Sequence, residues 1–464
     1  MKVLLLAVPN TLADEKRRKG PDFGSRIVPL ELLSSATVLK QGGHDVTVHD
    51  GLALNSSFAE IASVLKADSY ERIVISGFDR CRWAIEPVYE ILARFSAMPF
   101  ALLGGYNRKL IEDVMDRFAN VGFSTFGDPE FVLRDIADTV PFERITGVAY
   151  RKDGRLAMTG PACIQDLDEL PVASREFVDA ESYARFPHED MVSNPIDVNA
   201  SRGCPFSCVF CVVPLLCGRT LRVMSPERVK REIDELRGTR NTRFFHFQDP
   251  VFTQKKQWVA DVCRLIEPMN IRWSCQTRID LTDREILEKM RNAGCYSILY
   301  GIESLDEGVL EGIKKNIAVK KIEETVAYTR ELGIETRLSY IVGLPGSTPE
   351  IIKADLEKIT AMNPDFAQFH SIVAFPGTAL YADFTKAGRC AMVSESKYDV
   401  SGYQFIPHGF KDYHEIKSLT GYCYKRFYLR GGFVLRAILN PAMWARYARG
   451  IPLLCHVLTE KIRK

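Results

Sequence analysis

The stretch SRGCPFSCVFC, Ser201 to Cys211, sets Cys204, Cys208 and Cys211 at spacings of four and three residues. Thiolates are soft ligands suited to zinc and iron. Structural zinc sites use four ligands, often in two pairs, and no second CxxC or HxxxH accompanies this trio. A disulfide would leave an odd thiol. Three thiolates on one short loop can instead hold three irons of a [4Fe–4S] cube and leave the fourth iron open to an exogenous ligand. The other nine cysteines (Cys81, Cys163, Cys217, Cys263, Cys275, Cys295, Cys390, Cys423 and Cys455) are scattered singly, as small buried hydrophobes are.

A cluster one ligand short needs a scaffold around it, and the chain after the loop supplies a regular one. Strand-like RFFHFQD, IRWSCQTRID, YSILYGIES, IETRLSYIVGLPG and DFAQFHSIVAFPGT alternate with helical SPERVKREIDEL, QKKQWVADVCRLIE, DREILEKMRNAG, AVKKIEETVAYTRELG and PEIIKADLEKITAM. With IDVNASRG ahead of the loop, this makes six β/α units and predicts a parallel sheet curved into a partial TIM-type barrel. Chemistry in such barrels sits at the C-terminal strand ends. Asp249, Arg278, Glu303, Ser304 and the stretch from Gly343 to Gly346 fall there. An open iron suits S-adenosylmethionine, whose amino and carboxylate groups can chelate it.

Taken together, SRGCPFSCVFC, RTLRVMSPERVKREI, FHFQDPVFT, CQTRIDL, AGCYSILYGIES, YIVGLPGST and FPGTALY resemble the radical SAM superfamily, in the branch that carries an N-terminal cobalamin-binding domain and includes many methyltransferases. The resemblance implies that Cys204, Cys208 and Cys211 ligate the cluster. It also implies that Arg278, Glu303 and Ser304 lie near the methionine end of S-adenosylmethionine, with Phe210, Val342, Gly343 and Pro345 near its adenosine. His246, Asp249 and His370, at strand ends, are candidates to face substrate. The implied activity is generation of a 5′-deoxyadenosyl radical for hydrogen abstraction from an unactivated carbon, leading to cobalamin-dependent C-methylation. The alternative is a cobalamin-independent dehydratase, cyclase or epimerase that keeps the N-terminal domain as a structural element. Either would need an external electron donor of flavodoxin or ferredoxin type and a small-molecule substrate.

Ahead of the barrel, KVLLLAVP, HDVTVHDG, RIVISG, PFALLGG and GFSTFG alternate with helical segments, the pattern of a doubly wound, Rossmann-like α/β domain. This region resembles the branch's cobalamin-binding domain, with Gly104 and Gly105 as candidates for close approach to a corrin. It lacks DxHxxG, and His44 and His49 stand in other contexts. The expected organisation is therefore a Rossmann-like domain over 1–145, a hairpin and linker over 146–195, the barrel over 196–388, and a mostly helical, substrate-capping region over 389–464.

Composition agrees with an α/β globular chain: 464 residues, 46% hydrophobic and 26% charged. A formal charge of +2 gives no global basic field for nucleic acid. The first apolar run is too short for a signal peptide and reads as a strand, so a cytoplasmic location is expected. SKYDVSGYQFIPHGF is expected to close over the barrel mouth. The last forty residues hold nine Lys or Arg against the single acid Glu460. Such a basic amphipathic segment suits a membrane surface or a hydrophobic substrate, although Pro441 and Pro452 interrupt it.

Overall fold

A computed structural model describes residues 1–9, 27–79, 82–83, 85–183, 195–239, 243–392, 403–439 and 444. Five parallel strands, β1 (Lys2–Ala7), β2 (Asp45–Asp50), β3 (Arg72–Ser76), β4 (Phe100–Leu103) and β5 (Val121–Thr125), form the first sheet in the order β2-β1-β3-β4-β5. Their apolar runs leave both faces to be covered. Leu4, Leu6, Ile73, Ile75 and Leu102 pack with Ile61, Leu65 and Ile91. Val3, Leu5, Val74 and Leu103 pack on the other side with Leu32, Leu39 and Ile136. Local signals set the helix starts: Ser57 and Glu60 form a capping box, and Asn107 caps the helix Arg108–Arg117. The hairpin β6 (Val148–Lys152) and β7 (Arg155–Met158) does not stand apart as a linker element. It joins β5 antiparallel, with Thr125 opposite Val148, and extends this sheet to seven strands.

The second sheet begins with β8 (Ile196–Val198). A short antiparallel hairpin, β9 (Ser201–Arg202) and β10 (Arg222–Val223), then brackets the cysteine loop. The parallel sheet continues through β11 (Phe244–Phe247), β12 (Arg272–Arg278), β13 (Cys295–Glu303), β14 (Glu335–Val342) and β15 (Phe366–Ser371), paired in chain order. No pairing joins β15 to β8 among the described residues, so the barrel is open. Phe247, Phe252, Trp258 and Trp273 pack together under the helix Lys256–Ile266. The Trp273 indole N–H donates to Ala293 O at 2.8 Å, so its one polar atom is satisfied in the core.

The C-terminal helix Tyr413–Tyr428 lies along β15. The Ala367 and Phe369 N–H groups donate to the hydroxyls of Tyr428 and Tyr424, each at 3.2 Å. Side chains thus satisfy an open sheet edge that a seventh strand would otherwise pair. Of the segment expected to close the barrel mouth, 396–402 lie outside the described residues. Its end packs on the barrel, because a Cβ at Gly409 would stand 3.2 Å from Ser347 O. No helix among the described residues is long and apolar enough to cross a membrane.

Candidate cluster and cofactor site

Backbone geometry bends the cysteine loop out of the hairpin β9–β10. Gly203 has φ +91°, and a Cβ there would fall 2.1 Å from Thr220 O. Only glycine fits this turn. Cys204 N–H donates to Gly218 O at 3.0 Å and Cys211 N–H to Cys208 O at 3.1 Å, while Val209 N–H reaches Ile313 O on the barrel at 3.2 Å. Gly203→Ala is therefore expected to cut iron retained after reconstitution severalfold while the circular-dichroism spectrum is kept. Retention of full iron would show that the loop tolerates the side chain.

All three cysteines are free, Cys204 buried and the other two half-buried. Burial raises each thiol, Cys211 to about 12, and the proximity of the others adds to this for Cys204 and Cys211. Lys315 and Arg278 act oppositely on Cys208 and Cys204. The Arg278 guanidinium lies 3.6 Å from Cys208 Sγ. Thiols crowded together in this way become thiolates when a cation replaces their protons. No set of three His, Cys, Asp or Glu side chains converges on one ion among the described residues. A single zinc needs such convergence; a cluster places each thiolate on its own iron. The donor set fits an iron–sulfur cluster.

At the adjoining strand ends, Glu303 sits at φ +65° beside a bulge in β13. Its Oε1 accepts from Lys315 Nζ at 2.7 Å in a buried pair. A Cβ at Gly301 would lie 2.5 Å from that oxygen, so the glycine leaves room for the carboxylate. Arg278 donates to Lys315 O at 2.7 Å, pairs with Asp280 at 3.0 Å and stacks over Phe206 at 4.0 Å. Arg278, Glu303 and the cysteines thus come together, joined by Lys315. In sequence that lysine is one of two in IKKN, with no signal to single it out.

The remaining candidates differ in placement. Ser304 turns away from the cysteines: its hydroxyl donates to Asp355 at 2.8 Å, as Tyr340 does at 3.0 Å, and burial raises the Asp355 carboxyl. Fully buried Asp249 accepts from Ala200 N–H at 3.2 Å and from the Ser201 hydroxyl, which anchors the root of the cysteine hairpin. His246 lies 2.8 Å from Ser274 Oγ, inside the barrel wall. His370 is exposed, 3.2 Å from Gln368. Phe210 packs half-buried on the barrel core. Val342 is buried, and Gly343 at φ +92° packs under Ile372 and Ile416.

A second set of residues grips the hairpin from the first sheet, and sequence reading missed it. Asp128 and Glu130, from GDPE, are fully buried with Arg202 and Arg222 of β9 and β10. Arg202 forms a bidentate pair with Glu130, one contact at 3.0 Å, and lies 3.5 Å from Asp128. Arg222 pairs with Asp128 and donates to Ile164 O at 2.7 Å and Cys217 O at 3.1 Å. Burial opposes the Arg202 charge, but Glu130 and Asp128 outweigh it and raise its pKa. Gly104 is packed against Ile111 and Ser124, and Gly105 against Leu215 and Leu216 of the helix Val213–Cys217. Tyr106 N–H donates to Leu215 O at 2.8 Å. His49 is 3.0 Å from Ser56 Oγ, and burial lowers its pKa.

Between the ends of β3 and β4 and the barrel lies a narrow cleft with a free volume of only about 30 Å³, lined by Val28, Leu30, Ser76, Leu103, Asn199 and Gln248. Asn199 Oδ1 is buried there with no hydrogen-bond partner among the described residues. An unmet acceptor in an apolar cleft suits a ligand with amide N–H groups at its rim, and the carboxamides around a corrin are such groups.

Residues 198–359 match the family model described as the Radical SAM superfamily. An uncharacterized methyltransferase of Pyrococcus horikoshii is 26% identical over 95% of each chain. The anaerobic magnesium-protoporphyrin IX monomethyl ester cyclase of Rubrivivax gelatinosus is 23% identical over 89% of this chain and 76% of its own. In fold, the chain is similar to the radical S-adenosylmethionine methyltransferase TsrM of Kitasatospora setae, solved with cobalamin and a [4Fe–4S] cluster. The TM-score is 0.72 at 16% identity, covering 96% of this chain and 92% of that one. The eight-residue cysteine loop at the mouth of an open parallel barrel lies within the matched segment, and the chain is an enzyme with a radical SAM domain over residues 198–359.

Proposed function

We propose that the chain is a cobalamin-dependent radical SAM methyltransferase acting on an unactivated carbon of a small molecule. The observation that carries the reading is the joining of three free thiols to the Glu303–Lys315–Arg278 cluster at the barrel mouth. When bound, the cluster and S-adenosylmethionine supply a one-electron source of a 5′-deoxyadenosyl radical, and cobalamin supplies a transferable methyl group. Cys204, Cys208 and Cys211 hold the irons. Glu303 would accept an N–H of the methionine amino group, and Arg278 or Lys315 would meet its carboxylate, charge-assisted contacts that fix orientation. Phe210, Val342, Gly343 and Pro345 line the adenosine. His370 faces substrate and Asp249 positions the loop. Asn199 would accept from a corrin amide at the rim of the cleft. A flavodoxin- or ferredoxin-type donor supplies the electron, and the cytoplasm is the setting its free thiols suit.

A second reading, a cobalamin-independent dehydratase or cyclase, is favoured by one observation. His49, Gly104 and Gly105 are all engaged with protein. A cofactor count separates the two. Anaerobically reconstituted protein offered hydroxocobalamin and desalted is expected to hold about four irons and one corrin per chain. Four irons without corrin would overturn methyl transfer in favour of the second reading. Failure to release 5′-deoxyadenosine above a Cys208→Ala control would overturn both.

A further inference from the structure

Eight large apolar side chains are exposed among the described residues, and seven of them lie between Tyr422 and Trp444. The helix Gly431–Leu439 shows why. One side faces the protein: Phe433 is buried against Tyr428 at 4.9 Å between ring centroids, and Arg436 pairs with Asp365 at 3.4 Å. On the other side, Val434, Leu435, Ile438 and Leu439 are 39%, 56%, 60% and 70% exposed. At 100° per residue they share about 140° of the helix surface. Trp444 extends the patch, 57% exposed, its indole N–H donating to Ile438 O at 3.1 Å. A contiguous apolar surface of this kind on a soluble fold marks an interaction site.

Charge identifies the occupant. Nine basic residues against Glu460 give the last forty residues a formal +8 within a chain of +2, so the first 424 carry −6. Basic charge concentrated in the same stretch of sequence as an exposed aliphatic face with a tryptophan is the composition that rests on an anionic bilayer. A second copy would bring a like-charged tail to the same face. The chain's own residues 445–464 are basic too, so folding them over the patch would leave the positive charge unmatched. We propose that the Tyr422–Trp444 face docks this enzyme on an anionic membrane surface, where an apolar substrate or a bilayer-bound donor would be within reach. The inference is independent of the methyl-transfer reading.

The test uses the full, cluster-reconstituted chain with vesicles of phosphatidylcholine, alone or with about 30 mol % phosphatidylglycerol. Co-sedimentation is expected to be about tenfold stronger on the anionic vesicles and to weaken in high salt. Tryptophan emission is expected to shift blue on binding, and not in Trp444→Phe. The double variant Leu435→Asp/Leu439→Asp is expected to lose about tenfold in partitioning with iron content and 5′-deoxyadenosine release intact. Equal binding to both vesicles, or none at low salt, overturns the proposal. So does a wild-type dimer that the double variant dissolves, which would assign the face to a second copy. Trp444 emission already blue and unchanged by vesicles would assign it to the chain's own tail.

Discussion

Cys208→Ala is expected to leave the chain folded and to abolish release of 5′-deoxyadenosine, a loss of at least about a thousandfold. The size of the effect follows from coordination. In the proposed site each cysteine would serve a separate iron, so removing one would expose a second iron instead of weakening a shared bond. No neighbouring group stands in, because no three His, Cys, Asp or Glu side chains converge at one ion among the described residues. Cys208 is also the thiol closest to Arg278, at 3.6 Å, and is only half-buried. Its truncation therefore costs the fold little beside its chemical effect. Iron and sulfide per chain, the cluster absorbance, and 5′-deoxyadenosine by chromatography read this together with a melting curve. Wild-type nucleoside release from the variant would overturn the ligand assignment. A collapsed melting curve would instead make the residue structural, and Cys208→Ser then tests ligation with the shape kept.

Glu130→Ala is expected to destabilise the protein by roughly 3–5 kcal/mol, because it leaves the Arg202 guanidinium buried with its main partner gone. Asp128, 3.5 Å away, is already shared with Arg222. The same change at an exposed pair has a different scale. Lys40–Glu176, both about half exposed at 2.7 Å, is expected to contribute little, because water screens it. Replacing Glu130 and Arg202 together by Leu and Met is expected to recover most of the loss, since two apolar groups of similar volume need no mutual compensation. The functional consequence lies in the cysteine hairpin. Arg202 immediately precedes Gly203, so Glu130→Ala is also expected to lower iron retention, whereas the double variant separates loop position from charge. A denaturation midpoint within experimental error of wild type would show that the network is relaxed by water.

Residues that act through local geometry were legible in sequence. The cysteine loop announces itself because all three ligands fall within eight residues, where chain connectivity alone keeps them close. The strands and helices of both sheets announce themselves because apolar runs and helical periodicity report which faces must be covered. Ser57 and Asn107 sit at helix starts for equally local reasons. Glu303 and Arg278 stood out through their motifs, but their partner Lys315 did not, since a lysine beside another lysine reads as a solvated charge. The hairpin at Val148–Met158 was legible as two strands, whereas its union with the first sheet was not: edge pairing is decided by which neighbour has free backbone groups.

Sequence by itself determined the three loop cysteines and their spacing, the alternation that builds two parallel sheets, and the concentration of positive charge at the C-terminus. Only the tertiary structure decided what those parts meet. Asp128 and Glu130 lie 72 to 94 residues from the arginines they hold, Asn199 opens on a cleft whose other wall comes from the first sheet, and Tyr424 and Tyr428 satisfy a strand edge more than fifty residues away. A charged or hydroxylated side chain looks the same in sequence whether water or a partner satisfies it. The distinction arises when packing excludes the water, because an unmet polar group then costs far more than an exposed one.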